Sequence, residues 1–116
     1  MWMILFTLDD PDRLDEVLRA WEALGVSGVT ILESTGIRRY QQLQQIPARY
    51  APGFLPRRRE EGHYTLFSMV PDEARAQACL AAVEALLGDL NEPDTGVFAA
   101  WPLAFTKGVP AEGGQT

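Results

Sequence analysis

Across 116 residues the chain has one cysteine, one histidine and a single lysine, Lys107, so several chemistries are closed to it at once. Cys79 has no partner for an internal disulfide, and its place on a helical apolar face reads as core rather than nucleophile. Cys79 and His63 together cannot build a Cys/His zinc site within one chain, so no metal is expected. No apolar run approaches the roughly 20 residues that cross a bilayer. The opening MWMILFTLDD lacks a basic flank and meets acids after eight residues, which does not match a signal peptide. The expectation is a cytoplasmic protein with no membrane insertion. Ten cations against sixteen acids leave a net charge of −6, which argues against general nucleic-acid binding because phosphate contact needs a basic surface. There is no Gly-rich phosphate loop of the Walker or Rossmann kind, no G-x-S-x-G elbow and no histidine pair.

What is present is one domain's worth of alternating strand and helix patterns. Residues 2–8, WMILFTL, are apolar on both faces and fit a central strand. Asp9 or Asp10 caps a helix with Pro11 in its first turn; Leu14, Val17, Leu18, Trp21 and Leu24 form its buried stripe, and Gly25 ends it. VTILEST, residues 29–35, is a second strand and HYTLFSMV, residues 63–70, a third. Pro71 and Asp72 start a second helix carrying Ala76, Cys79, Leu80, Val83, Leu86 and Leu87, ended by Gly88. After the turn-rich DLNEPDTG comes a fourth strand at 97–101, stopped by Pro102, with LAFTKGV as a short extension. Two β-α-β halves of this kind predict an α+β, ferredoxin-like sandwich: a four-stranded antiparallel sheet with both helices on one face. The domain spans residues 1–109, and 110–116 read as a flexible tail. Apolar residues on both strand faces leave the helix-free side sticky, which predicts a homo-oligomer built through the sheets.

The segment 38–62 (RRYQQLQQIPARYAPGFLPRRREEG) fits neither period. Its six arginines and two glutamates give it a charge of +4, while the remaining four cations and fourteen acids give the rest −10. A connection this long in a small domain points to function, against the plainer reading of a solvated insertion. Tyr50, Phe54, Arg57, Arg58 and Arg59 have the composition of a protein-binding patch, although Arg57–Arg59 followed by Glu60 and Glu61 also reads as a solvated charge run. Arg38 and Arg39 at the loop base suit a phosphate or carboxylate, or else an ion pair with the acids of DLNEPDTG. Asp9 and Asp10 are better explained as a cap than as an acid–base pair. His63 reads as a ligand donor or, more plainly, a satisfied surface histidine.

The span MILFTLDDPDRLDEVLRAWEALGVSGVTILESTGIRR, followed by a long loop, a strand, a helix begun by Pro-Asp and a strand reached through Asp-Thr-Gly, resembles the nitrogen regulatory P-II family and its PII-like relatives. The likeness covers residues 3 to about 109 and is most specific in LDEVLRAWEALGVSGVTILESTG. It implies a homotrimer of ferredoxin-like subunits, adenine-nucleotide binding in the clefts between subunits, and signalling through a long T-loop presented to a target protein. By that resemblance 38–62 corresponds to the T-loop and DLNEPDTG to the nucleotide-contacting B-loop. Thr30, Gly36 and Arg39 match nucleotide-site positions, and Lys107 falls where the family has an arginine near the phosphates. Arg38 takes a glycine position, Tyr40 that of a metal-site glutamine, Gly96 that of the phosphate-binding lysine, and Val109 that of a second arginine. With two cations gone and Glu92 and Asp94 close by, magnesium-ATP with 2-oxoglutarate is disfavoured, which leaves a less charged nucleotide, another small anion or no ligand at all as the alternatives.

The expected function is therefore non-catalytic: a ligand held by Thr30, Gly36, Arg38, Arg39, Asp94, Thr95, Gly96 and Lys107 biases the loop and, through it, the choice of an unidentified partner protein. The alternatives are a small ferredoxin-like enzyme using the same cleft, with Asp94 or His63 as base, and a purely structural oligomeric module.

Overall fold

Period-two alternation in WMILFTL resolves into a central strand, β1 (Trp2–Leu8), whose even-numbered residues from Ile4 onward are fully buried and whose odd-numbered residues are only partly covered. The computed structural model describes residues 1–26, 28–34 and 63–109. After β1 the Asp10 carboxylate accepts the Asp12 N–H at 3.0 Å, and a single 3-10 turn, Pro11–Arg13, precedes α1 (Leu14–Ala23). The first turn expected to be α-helical is thus 3-10, closed by Arg13 N–H donating to the Asp10 carbonyl at 3.1 Å. α1 ends in a Schellman arrangement: Val26 N–H reaches the Trp21 carbonyl at 3.1 Å and Gly25 N–H that of Glu22 at 2.9 Å, with Gly25 at φ 86°.

β2 (Val29–Ser34) and β3 (His63–Val70) follow, the second with the expected bounds. Thr35, expected to close β2, lies outside the described residues. Asp72 caps α2 (Glu73–Leu87) by accepting the Arg75 N–H at 2.8 Å. The last strand, β4 (Gly96–Pro102), is one residue longer at each end than expected. Past it, Leu103 N–H donates to the Met1 carbonyl at 2.9 Å, but no further strand forms through residue 109. The tail 110–116 lies outside the described residues.

The sheet runs β2-β3-β1-β4 with every neighbouring pair antiparallel, the split β-α-β order of a ferredoxin-like α+β sandwich. One row crosses all four strands: Thr30, Phe67, Leu5 and Ala99. Ile4, Phe6 and Leu8 of β1 and Leu66 and Val70 of β3 join Val17 and Trp21 of α1 and Ala76, Cys79 and Val83 of α2 in one core. Every strand residue in it is even-numbered, so both helices cover the same face. Trp21 sits at its centre, its indole N–H donating to the Cys79 carbonyl at 3.2 Å and its ring tilted 55° against Phe6 at 6.2 Å. Ser68, the buried polar side chain of this face, donates to the Gly28 carbonyl at 2.8 Å. Arg13 ties the start of α1 to the end of α2 by donating to the Leu86 carbonyl at 3.0 Å.

Cys79 is fully buried, as the helical pattern implied. Burial pushes its thiol from 9.0 up to about 11, against the opposing pull of the Arg75 cation. Because the folded state disfavours the thiolate, this contribution to stability is whole below pH 9.0 and is lost as the pH rises through about 11. Urea melts of wild type and Cys79→Ala across that range should show the wild type losing stability more steeply. Trp21→Ala should cost about 3–5 kcal/mol at neutral pH in the same assay, since it removes the largest core side chain.

Candidate functional site

The two strands that bracket the long connection are fastened to each other at their mouth. Ser34, last in β2, pairs with His63, first in β3. The Ser34 hydroxyl lies 3.1 Å from the His63 carbonyl, 2.7 Å from its Nδ1 and 2.9 Å from the Thr65 hydroxyl, which is 3.3 Å from that of Thr7. When the Ser34 proton goes to the carbonyl, the imidazole donates from Nδ1. Four polar side chains thus form one chain of hydrogen bonds across β2, β3 and β1, and His63 is engaged in it through Nδ1. Sequence reasoning singled out His63 but not Ser34, Thr65 or Thr7. The available signal was hydroxyls recurring on the odd face of β1 and β3 beside the β2 terminus, and it becomes readable only once the register is known.

Beyond this polar end the helix-free face is apolar. Met3, Leu5 and Phe67 are half-buried there, while Leu32 is 50 %, Met69 41 %, Val97 62 % and Trp101 40 % exposed. None of these side chains belongs to the core on the other side.

At the same end of the sheet, the link between α2 and β4 is held by side chains that bond its own backbone. Glu84 accepts the Leu90 N–H at 3.0 Å, and Asp89 accepts that of Asn91 at 2.9 Å. The Thr95 hydroxyl is 2.9 Å from the Glu92 carbonyl and 3.2 Å from that of Leu90, so it is already engaged in shaping the turn. Asp94 is exposed with φ 64°. Gly96 is enclosed: a Cβ there would stand 2.5 Å from the Thr7 carbonyl and 2.9 Å from the Phe6 ring. A lysine side chain therefore has no room at the position where the P-II resemblance would call for one.

Thr30 does not reach this link within one chain. Thr30 is exposed on β2, at the opposite edge of the sheet, three strand spacings or about 14 Å across. Lys107 is exposed, five residues past the end of β4. Gly36, Arg38, Arg39, Tyr50, Phe54, Arg57, Arg58 and Arg59 lie outside the described residues. Among the described residues no three His, Cys, Asp or Glu side chains gather as a metal site.

Gly96→Ala should destabilise the fold by about 1–3 kcal/mol through overpacking, and Gly96→Lys by more. Thermal denaturation checks both, and a melting temperature unchanged by the lysine would contradict the enclosure. Compared with models of known protein families the chain matches none, and comparison with curated proteins gives no match.

Proposed function

We propose that this protein is a non-catalytic regulator of the PII-like kind. In this reading it is a cytoplasmic homotrimer that holds a small effector in clefts between subunits and meets a partner protein through residues 38–62. The observation that carries the reading is the apolar face of the sheet that neither described helix covers, formed by Met3, Leu5, Leu32, Phe67, Met69, Val97 and Trp101. A second copy of that face is the simplest cover for a patch of this breadth on an acidic domain.

The effector follows from the charges. Gly96 leaves no room for a cation, Glu92 and Asp94 add negative charge beside it, and Arg38, Arg39 and Lys107 are the cations left to offset an anion. That balance suits a nucleoside mono- or diphosphate better than a triphosphate with magnesium and 2-oxoglutarate. An effector of this class acts by binding one loop state more tightly than the other. No helix among the described residues is long and apolar enough to cross a membrane.

Size-exclusion chromatography with light scattering at micromolar concentration should give a trimer, and Met69→Glu should give monomers with unchanged helical circular dichroism. A wild-type monomer would overturn the assembly. Calorimetry with ATP, ADP, AMP and cyclic AMP, run beside limited proteolysis, tests the effector. The expected result is binding of the less charged nucleotides with a changed cleavage pattern in 38–62; no heat from any of them, with cleavage unaltered, would overturn it.

A further inference from the structure

The sheet has two outer edges, and they differ in charge. β2 carries Glu33, whereas β4 reads GVFAAWP with no charged residue along its length. Natural edge strands are usually blunted by charge, bulge or an early proline, and the only proline here is the last residue. The parity of the ladder follows from its two ends. Leu103 N–H donates to the Met1 carbonyl at 2.9 Å and Asp9 N–H to the Thr95 carbonyl at 3.4 Å. In an antiparallel pair the bonded residues alternate, so Val97, Ala99 and Trp101 turn their backbone groups to β1. Gly96, Phe98 and Ala100 then present N–H and C=O outward, and no strand among the described residues meets them.

Beside this edge, between β4 and α2, runs a groove of about 260 Å³. Trp2, Leu80, Phe98 and Ala100 line it, with Glu73 and Gln77 among the residues bordering it from α2. Glu73 is exposed near the Pro102 end, while Glu92 and Asp94 are exposed just before Gly96. The edge is therefore apolar in its middle and acidic at both ends.

We propose that the outer edge of β4 is a strand-addition site for an extended segment of a partner protein. The segment is roughly six residues long, apolar in its middle and basic at its ends. Its main chain pairs with the outward groups of Gly96, Phe98 and Ala100, one apolar side chain enters the groove, and the terminal cations face Glu73 on one side and Glu92 and Asp94 on the other. A second copy of this strand fits less well. Antiparallel two-fold pairing would bring the Glu73 end of one copy against the Glu92 and Asp94 end of the other, acids facing acids.

The test uses the full chain and a fluorescein-labelled octapeptide of alternating valine and threonine with a lysine at each end, followed by anisotropy and by amide hydrogen exchange. Saturable binding with slowed exchange at Phe98 and Ala100 is expected. The same peptide N-methylated at alternate amides should fail to bind. Glu73→Lys, a surface change that leaves the core untouched, should weaken binding roughly two- to fivefold. Ala100→Pro removes an outward donor while sparing the bonds to β1, and should weaken binding by about tenfold or more. No saturable binding of the lysine-ended peptide, or equal binding of the N-methylated one, would overturn the proposal. So would concentration-dependent protection of Phe98 and Ala100 in the protein alone, which would assign the edge to a second copy.

Discussion

The rest of the structure depends on the parity of β1. Side chains alternate across a strand, so placing Ile4, Phe6 and Leu8 under the helices necessarily places Met3, Leu5 and Thr7 on the other side. The neighbours are locked in step: Phe67 and Ala99 flank Leu5, and Leu66 and Phe98 flank Phe6. A slip of one residue would exchange the two faces throughout and bring Thr7 into the core. Each large side chain buried on the helix side contributes about 1.5–3 kcal/mol, enough to hold that register. The second face is apolar on its own account, since nothing in the core requires Leu32, Met69 or Trp101 to be where they are.

The ends of the sheet are finished by polar contacts instead. Ser34, His63, Thr65 and Thr7 bridge three strands at the mouth of the 35–62 connection and keep its two ends together. Gly96 lets β4 start hard against Thr7, and Thr95 binds the turn that precedes it. These devices place the α2-to-β4 link at the same end of the sheet as the long connection. The residues that flank the basic segment, Ser34 and His63, are thereby fastened to each other on an acidic scaffold.

Much of the architecture was legible because it rests on local periodicity. The strand of His63–Val70, the caps at Asp10 and Asp72, the stop at Gly25 and the burial of Trp21, Cys79 and Val83 are all written within short windows of sequence. Where the reading differed, local geometry had the deciding part: the helix start tightened to a 3-10 turn because Pro11 follows an aspartate whose carbonyl and carboxylate both bind the next residues. The candidate site was less legible. Its residues are far apart in sequence, and of the positions that the P-II resemblance brings together Thr30 and Gly96 lie on opposite edges of the sheet.

By itself the sequence determined the element order, the two-sided apolarity of the strands and the separation of charge between 38–62 and the remainder, since composition and period are properties of adjacent residues. Only the tertiary structure decided that Ser34 and His63 are hydrogen-bonded, that Gly96 has no room for a side chain, and that β4 is an outer strand directing the backbone groups of Phe98 and Ala100 outward. The physical reason is that these depend on strand order and register, which arise when the whole core closes and have no counterpart in any short stretch of the chain.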